Sequence, residues 1–262
     1  MASLRAAPAS PVTRRSILSL RRFTHTLVSV RVTRDSSYRF TPGHFARVGL
    51  AGTAGAVVTR PLSIASAPSA PHLEFICTLV PGGEFTAALD SSRTGDPVEI
   101  ATASFGFLTA DALAPGTDLW LLATGTGLAP FLSMLRDPGV WTRFARIAVV
   151  HSVRQAAELC YAGTLREFAR HPPHPDARAR LHYAPVVTRE PGATALSARI
   201  PELLADGRLA HAIGCTPDVA RSRFMVCGNP AMGRDLRQWL TDRGYRSRRR
   251  GVPGQMAFEN YW

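Results

Sequence analysis

The sequence predicts two domains, an antiparallel β-barrel in the first half and an α/β doubly wound parallel sheet in the second. The chain has 262 residues, of which 45% are hydrophobic. That length is enough for two domains of about 110–150 residues, each with its own core. Short strands separated by turns follow one another up to residue 114, whereas apolar strands alternate with helices from residue 115. We therefore expect a barrel domain over 16–114 and an α/β domain over 115–262.

The barrel prediction depends on short strands at close spacing. Val28, Val30 and Val32 alternate with polar residues, which is typical of a half-buried strand. Further strands are predicted over 45–50, 57–64, 73–80 and 97–101, with turn residues such as Pro42 and Gly43 between them. Strands this short and evenly spaced favour a small antiparallel barrel.

The α/β prediction depends on a change of rhythm. Residues 119–123, LWLLA, form a fully apolar run of the kind found in strands that are buried on both faces. Three further strands are predicted over 147–151, 182–187 and 223–227, and helices over 128–136, 156–169 and 232–240. Alternating strands and helices indicate a parallel sheet with helices on both faces.

The charge leaves two classes of partner open. The formal net charge is +12, and all 31 basic residues other than histidine are arginine. A basic nucleic-acid-binding protein is one interpretation, although the sequence has no zinc-finger spacing and no RNP-like strand. An acidic protein partner or phosphorylated cofactors fit the charge equally well. The four cysteines are isolated, so we expect no disulfide framework, no internal iron–sulfur cluster and no metal site.

The composition of the N-terminus and the hydropathy of the chain predict where in the cell the protein is located. Residues 1–15 are rich in alanine, serine and proline and contain no acid, so we expect a disordered leader, with a transit peptide as the alternative. No apolar run approaches the roughly 18–20 residues that a membrane span needs. We therefore expect a soluble, cytoplasmic protein with no membrane partner.

Three motifs could surround a diphosphate. In ATGTGLAPF, 123–131, a glycine turn joins a buried strand to a helix N-terminus, which favours anions. In PGGEFT, 81–86, two glycines leave the backbone conformationally unrestricted, and Thr86 is expected to cap a short helix. In RPLSIAS, 60–66, Arg60 can grip a diphosphate with its forked guanidinium. Taken singly, these motifs also fit, in the same order, a strand–turn–helix link, a glycine-rich hairpin and an edge strand.

Two further motifs lie towards the C-terminus. CGNPAM, 227–232, places Cys227 at the carboxyl edge of the sheet, where doubly wound folds bind ligands, although a buried cysteine is often only a small hydrophobe. ENYW, 259–262, offers Glu259 for proton exchange and the flat rings of Tyr261 and Trp262 for stacking. A terminal strand pinned into the core is the alternative for this last motif.

In this order, the five motifs resemble the ferredoxin–NADP reductase family, and most closely its bacterial branch, whose chains end in an aromatic pair. The resemblance runs from near residue 17 to residue 262. It implies a Greek-key barrel that holds FAD and a parallel sheet that holds NADP. The residues it assigns to FAD are Arg60, Pro61, Leu62, Ser63, Ile76, Cys77, Thr78, Leu79, Glu84, Phe85, Thr86, Thr126, Tyr261 and Trp262. Leu62 stands where the family usually has a tyrosine that stacks on the flavin.

The resemblance also implies how NADP is chosen over NAD. Arg154, Arg189 and Arg199, here called the arginine clamp, look like the family's site for the 2′-phosphate, because arginine suits a dianion. Val153, Thr188 and Asn229 complete the residues assigned to NADP. No acidic residue directly follows strand 147–151, where an NAD enzyme places one for the ribose hydroxyl.

The activity implied is hydride transfer between NADPH and FAD, followed by exchange of single electrons with a ferredoxin or flavodoxin. By resemblance the catalytic residues are Ser63, Cys227, Glu259 and Tyr261, with Glu259 as proton relay and Tyr261 as a gate. We expect a monomer whose basic stretch Arg243 to Arg250 docks the acidic carrier. The alternatives are another NAD(P)H-dependent flavin reductase, such as an oxygenase reductase component, and an FAD-binding sensor without activity.

Overall fold

The first domain is a curled antiparallel sheet. The computed structural model describes residues 11–52, 55–249 and 252–260. The strands of this domain are β1 (Val12–Arg22), β2 (Leu27–Thr33), β3 (Phe45–Ala51), β4 (Val57–Ser63), β5 (His72–Thr78) and β6 (Pro97–Ala101), and helix α1 (Glu84–Ser91) lies between β5 and β6. The sheet order is β4-β3-β6-β1-β2-β5, and every pairing is antiparallel.

The two outer strands of this sheet meet and close it. Ile64, directly after β4, forms a bridge with Phe75 of β5, and the Ala65 N–H donates to the Glu74 carbonyl at 2.7 Å. Alternate side chains of the strands fill the interior, where Ile64 and Phe75 are fully buried. The predicted antiparallel Greek-key barrel is confirmed.

The second domain is a parallel sheet covered on both faces. Its strands are β7 (Asp118–Thr124), β8 (Arg146–Val153), β9 (Arg180–Val187), β10 (Ser222–Gly228) and β11 (Met256–Asn260). Its helices are α2 (Ala129–Leu135), α3 (Pro138–Arg143), α4 (Ala162–Arg170), α5 (Ile200–Ala205), α6 (Arg208–Ile213) and α7 (Pro230–Asp242). The order is β11-β10-β7-β8-β9, with all pairings parallel.

Strand β7 divides the interior of this domain into two cores. Leu119 and Leu121 pack on the side of α2, α3 and α4, whereas Trp120 and Leu122 pack on the side of α5, α6 and α7. All four side chains are fully buried, as a run that is apolar at every position requires. The predicted doubly wound sheet is confirmed.

The sequence prediction failed at two elements. Strand β1 begins at Val12 and pairs with β6, so the leader expected over residues 1–15 is wrong from Val12 onwards; residues 1–10 lie outside the described residues. The helix expected over 156–169 is a single 3₁₀ turn at Ala156–Glu158 followed by α4. It breaks because Tyr161, just before α4, adopts a left-handed backbone conformation with φ of 58°.

In the described ranges, no helix is both long enough and apolar enough to cross a membrane.

Candidate functional site

The two domains meet where β4 of the barrel and β11 of the parallel sheet both end. The Ser63 hydroxyl, 4% exposed, donates a hydrogen bond of 3.3 Å to Oε1 of the half-buried Glu259. Glu259 lies beside Cys227 in the ladder between β11 and β10, and Cys227 is fully buried. Three predicted catalytic residues that are far apart in the sequence therefore lie together. We call Ser63, Cys227 and Glu259 the catalytic cluster.

The turn Gly125–Leu128 after β7, here called the glycine turn, packs directly against the catalytic cluster. A Cβ at Gly127 would overlap the carbonyl oxygen of Cys227, and a Cβ at Gly228 would overlap the Thr124 hydroxyl. Gly228 also has φ of 129°, which disfavours other residues. Glycine at these two positions lets the ends of β7 and β10 approach closely. The turn itself is open at Gly125, where no atom of the described chain beyond its two neighbours lies within 4 Å of the position a Cβ would take.

A buried histidine that the sequence analysis missed holds this turn. His151 of β8 is fully buried, and its Nε2 lies 3.0 Å from the Gly125 carbonyl oxygen. Since a carbonyl only accepts, Nε2 carries the proton and donates. Burial lowers the pKa of His151 to about 4, although the hydrogen bond to Gly125 acts in the opposite direction. The ring is therefore neutral at physiological pH and fixes the first glycine of the turn.

Helix α1 presents an open N-terminus at the barrel side. Gly83 precedes its first residue, Glu84, and no described side chain accepts hydrogen bonds from the N–H groups of the first turn. Thr86 was predicted to cap the helix, and that prediction is wrong: its hydroxyl donates back to the Val80 carbonyl at 2.8 Å, inside the loop. First-turn N–H groups without a cap are suited to an anion such as a diphosphate.

Several residues assigned to FAD by resemblance face the protein interior. Cys77, Leu79 and Phe85 pack in the barrel core, and Ile76 joins the core on the α2, α3 and α4 side of the parallel sheet. Burial also raises the pKa of the Cys77 thiol to about 11, so it stays protonated. From these four residues only backbone atoms are available to a cofactor. Thr126 lies in the glycine turn and is 7% exposed.

Four further residues assigned to FAD lie on β4 and β5 with side chains that are at least partly accessible. Arg60 and Pro61 of β4 are exposed, and Leu62 and Thr78 are half-buried. Within the described part of the chain, the Arg60 guanidinium donates only to the adjacent Thr59 carbonyl, at 2.8 Å. Its charge is therefore available to an incoming phosphate.

Most residues assigned to NADP come together where β8 and β9 end. The Thr188 N–H donates to the Val153 carbonyl at 3.0 Å, and the Arg189 N–H donates to the Arg154 carbonyl at 2.8 Å. Both arginine side chains are exposed. Arg199, also exposed, directly precedes α5. The first two members of the arginine clamp are therefore neighbours at the edge of the sheet.

Asn229 has a structural role in addition to its predicted contact with NADP. Its side-chain oxygen accepts from the N–H groups of Ala231 at 2.8 Å and Met232 at 3.3 Å, which caps α7. Its own N–H donates to the Thr124 hydroxyl at 2.7 Å. The cap joins the start of α7 to the end of β7, beside the glycine turn.

A buried carboxylate, also missed from the sequence, ties the two domains together. Glu74 of β5 is 1% exposed and accepts from Arg136, which directly follows α2, at 2.6 Å and from the Tyr161 hydroxyl at 2.8 Å. Arg31 of β2 completes the cluster at 3.0 Å. Arg136 also donates to the carbonyl of Ala65 in the barrel domain.

The charge of Glu74 is maintained by its partners. Burial raises the pKa of Glu74, but the cations of Arg136 and Arg31 and the Tyr161 hydrogen bond outweigh burial, so the pKa lies below its ordinary value. A buried anion with several donors holds its partners firmly. Glu74 therefore fixes the relative position of the barrel and the parallel sheet.

The basic stretch Arg243 to Arg250 is not a uniform exposed surface. Arg243 follows α7 and lies 3.8 Å from the centre of the Trp239 ring, and Tyr245 is buried in a core. Arg248 reaches across to the barrel domain, where it donates to the Phe107 carbonyl at 2.7 Å. Arg250 lies outside the described residues, as do Tyr261 and Trp262.

Comparison with known proteins identifies the family. A model of the oxidoreductase NAD-binding domain matches residues 121–238. The chain is 36% identical to ferredoxin–NADP reductase A of Sorangium cellulosum, over 94% of this chain and 89% of that protein. It is also 36% identical to a ferredoxin–NADP reductase of Pseudomonas aeruginosa, over 93% and 95% respectively.

A solved structure agrees with these relatives. The ferredoxin NADP+ reductase from Neisseria gonorrhoeae, with bound FAD and NADP, superposes with a TM-score of 0.88 at 34% identity. The match covers 95% of this chain and 98% of that one. With full-length likeness in both sequence and structure, the chain belongs to the ferredoxin–NADP reductase family.

Proposed function

We propose that this chain is an FAD-dependent reductase that exchanges hydride between NADPH and FAD, and single electrons between FAD and a ferredoxin or flavodoxin. Bound FAD supplies this chemistry, because its ring takes two electrons together and releases them singly. The contact between Ser63 of the barrel and Glu259 of the sheet carries the proposal. It joins the two domains at the point where cofactors held by different domains have to meet.

The barrel residues fit a dinucleotide with a flat ring. The uncapped N-terminus of α1 and the exposed guanidinium of Arg60 both favour a diphosphate. Ser63 offers a hydroxyl at the end of β4, beside the parallel sheet. Glu84 departs from this pattern, because an exposed carboxylate at the first position of α1 repels a phosphate. We expect this carboxylate to point away from the helix terminus when the site is filled.

The parallel sheet fits a second dinucleotide. The glycine turn has open space at Gly125, and α2 begins directly after this turn. Arg154 and Arg189 stand together at the ends of β8 and β9. Two adjacent guanidinium groups favour the 2′-phosphate of NADPH over the uncharged hydroxyl of NADH.

The catalytic cluster has the means to position groups and move a proton. Cys227 and Ser63 are buried and keep water away from the junction of the domains. The Ser63 hydroxyl is oriented by the Glu259 carboxylate, and Glu259 is half-buried, so it reaches both the site and solvent. Glu259 is therefore suited to pass a proton between Ser63 and water.

Steady-state kinetics with alternative substrates test the proposal. Purified protein is expected to contain FAD and to prefer NADPH to NADH with ferredoxin or flavodoxin as acceptor. Free quinone serves as the comparison acceptor. A preference for NADH would favour a different flavin reductase of the same fold, and purification without flavin would refute the proposal.

Several finer expectations accompany this function. We propose that the chain works as a cytoplasmic monomer, that its domains divide at residue 114, and that its carrier docks near Arg243 to Arg250. We also propose that Tyr261 covers the flavin face and Trp262 stacks on the adenine. Deleting the last two residues is then expected to change NADP(H) affinity and the flavin spectrum, and unchanged values would contradict it.

A further inference from the structure

Two phenylalanine side chains are exposed next to the catalytic cluster. Phe107 is 80% exposed and Phe105 is 50% exposed, and both follow β6 in the barrel domain. Phe105 exchanges backbone hydrogen bonds with Phe45 at 2.6 and 3.0 Å, and Phe45 is the register partner of Ser63. The exposed rings are therefore one strand away from the residue that joins the domains.

The segment that carries these rings is held in place. Between them, Gly106 packs so closely that a Cβ would lie 2.9 Å from the Gly43 carbonyl oxygen. From the other domain, Arg248 donates to the Phe107 carbonyl, and its guanidinium lies 5.8 Å from the centre of the Phe107 ring. The rings are thus presented to solvent by a fixed backbone.

Two residues close to Arg248 in the chain add charge and apolar area. Arg249 and Val252 exchange backbone hydrogen bonds at 3.1 and 2.9 Å. Val252 is 61% exposed, and Arg249 is exposed. We call Phe105, Phe107, Arg248, Arg249 and Val252 the Phe107 patch. It combines apolar side chains from both domains with two cations.

Such a surface has the composition of a protein-binding site. Rigid aromatic side chains and arginines provide most of the binding energy in interfaces, and exposed apolar patches with a polar rim mark interaction surfaces. The cations, on a chain of net charge +12, favour an acidic partner and oppose a second copy of this chain. The position beside Ser63 favours a partner that exchanges electrons there.

We propose that the Phe107 patch is the docking site for an acidic ferredoxin. This inference rests on the proposed function and specifies its partner surface. The rings of Phe107 and Phe105 contribute apolar contact, while Arg248 and Arg249 steer the acidic partner and fix its orientation. We choose ferredoxin because it is common to the names of the curated relatives reported above.

Ferredoxin kinetics of Phe107→Ser and Phe105→Ser test the docking site. With a purified acidic 2Fe–2S ferredoxin, Phe107→Ser is expected to raise the apparent KM about tenfold. NADPH-dependent reduction of ferricyanide, a small acceptor that needs no docking surface, is expected to stay unchanged. Leu18→Ser is the matched control, because Leu18 is 45% exposed on β1, outside the patch. Arg249→Gln is expected to weaken the salt dependence of ferredoxin reduction.

The outcomes separate this inference from the function on which it rests. If the wild-type protein does not reduce ferricyanide with NADPH, the proposed function fails. If it reduces ferredoxin but Phe107→Ser leaves the KM within twofold of Leu18→Ser, the docking site is refuted. A KM change for flavodoxin without one for ferredoxin, or a wild-type dimer that Phe107→Ser dissociates, would also overturn it. Melting curves of the variants confirm that each is folded.

Discussion

Replacing Glu74 with alanine is expected to destabilise the whole molecule by about 3–5 kcal/mol. The variant removes a buried carboxylate that accepts from Arg136 at 2.6 Å and from Tyr161 at 2.8 Å. Hydrogen bonds to a charged group are worth about 1.5–3 kcal/mol each. The ion pair with Arg31 adds less than about 1 kcal/mol, because the Arg31 side chain is 47% exposed. Arg136 keeps its bond to the Ala65 carbonyl, which limits the total.

Urea unfolding monitored by tryptophan fluorescence and by far-UV circular dichroism measures this loss. Asp90→Ala is the control, since the pair of Asp90 with Arg22 has the same distance of 2.6 Å but side chains that are 54% and 50% exposed. The control is expected to lose about 0.5 kcal/mol or less. Because Glu74 joins the domains, its alanine variant is also expected to unfold in two separate transitions. A midpoint equal to that of Asp90→Ala would refute the reasoning.

The pH dependence of the free energy of unfolding tests independently whether Glu74 is charged in the folded protein. The folded-state pKa of Glu74 lies below its ordinary value of 4.5, so the unfolded chain binds the proton first. Its stabilising effect is present above pH 4.5 and is lost as the pH falls through the folded-state pKa. The stability difference between wild type and Glu74→Gln is therefore expected to shrink on acidification below that point. A difference that stays constant would contradict the assignment of a charged Glu74.

Two further predictions concern the parallel sheet. The folded-state pKa of His151 is about 4 against 6.5 in a free chain, so wild-type stability is expected to fall between pH 6.5 and 4, by up to about 3 kcal/mol from this group. His151→Gln is expected to flatten this slope in urea titrations, and an unchanged slope would contradict it. Replacing Arg154 and Arg189 together with alanine is expected to lower the NADPH/NADH ratio of kcat/KM at least about tenfold. Arg180→Ala, at the opposite end of β9, is the control, and a ratio equal to that control would reject the clamp.

The barrel and the parallel sheet were predictable because their strands carry simple patterns. Alternating valines indicate β2, and the continuous apolar run of β7 indicates a strand covered on both faces. Strand β1 was missed because polar residues, among them four arginines, fill most of its positions and Ile17 is its one fully buried residue, so no alternation is visible. The broken helix before α4 was missed because a left-handed tyrosine has no signature in sequence.

Site residues were predictable where each stands in a short recognisable motif. They were not predictable where the role of a residue depends on partners that are distant in the sequence. Ser63, Cys227 and Glu259 stand in short motifs, and the structure brings them together. Glu74 was missed because its partners Arg136 and Tyr161 are 62 and 87 residues away, so only the fold explains its burial. A lone acid inside the apolar strand LEFIC was the available signal.

We propose that a flavin in the barrel faces a nicotinamide on the parallel sheet across the contact of Ser63 with Glu259. Anaerobic stopped-flow mixing of the purified protein with NADPH, followed at the flavin absorbance band, tests it most directly. The wild-type flavin is expected to bleach rapidly, and Ser63→Ala is expected to slow this step at least about tenfold. The exposed Ser19→Ala variant is the control. Colourless protein, or equal rates in Ser63→Ala and the control, would contradict the account.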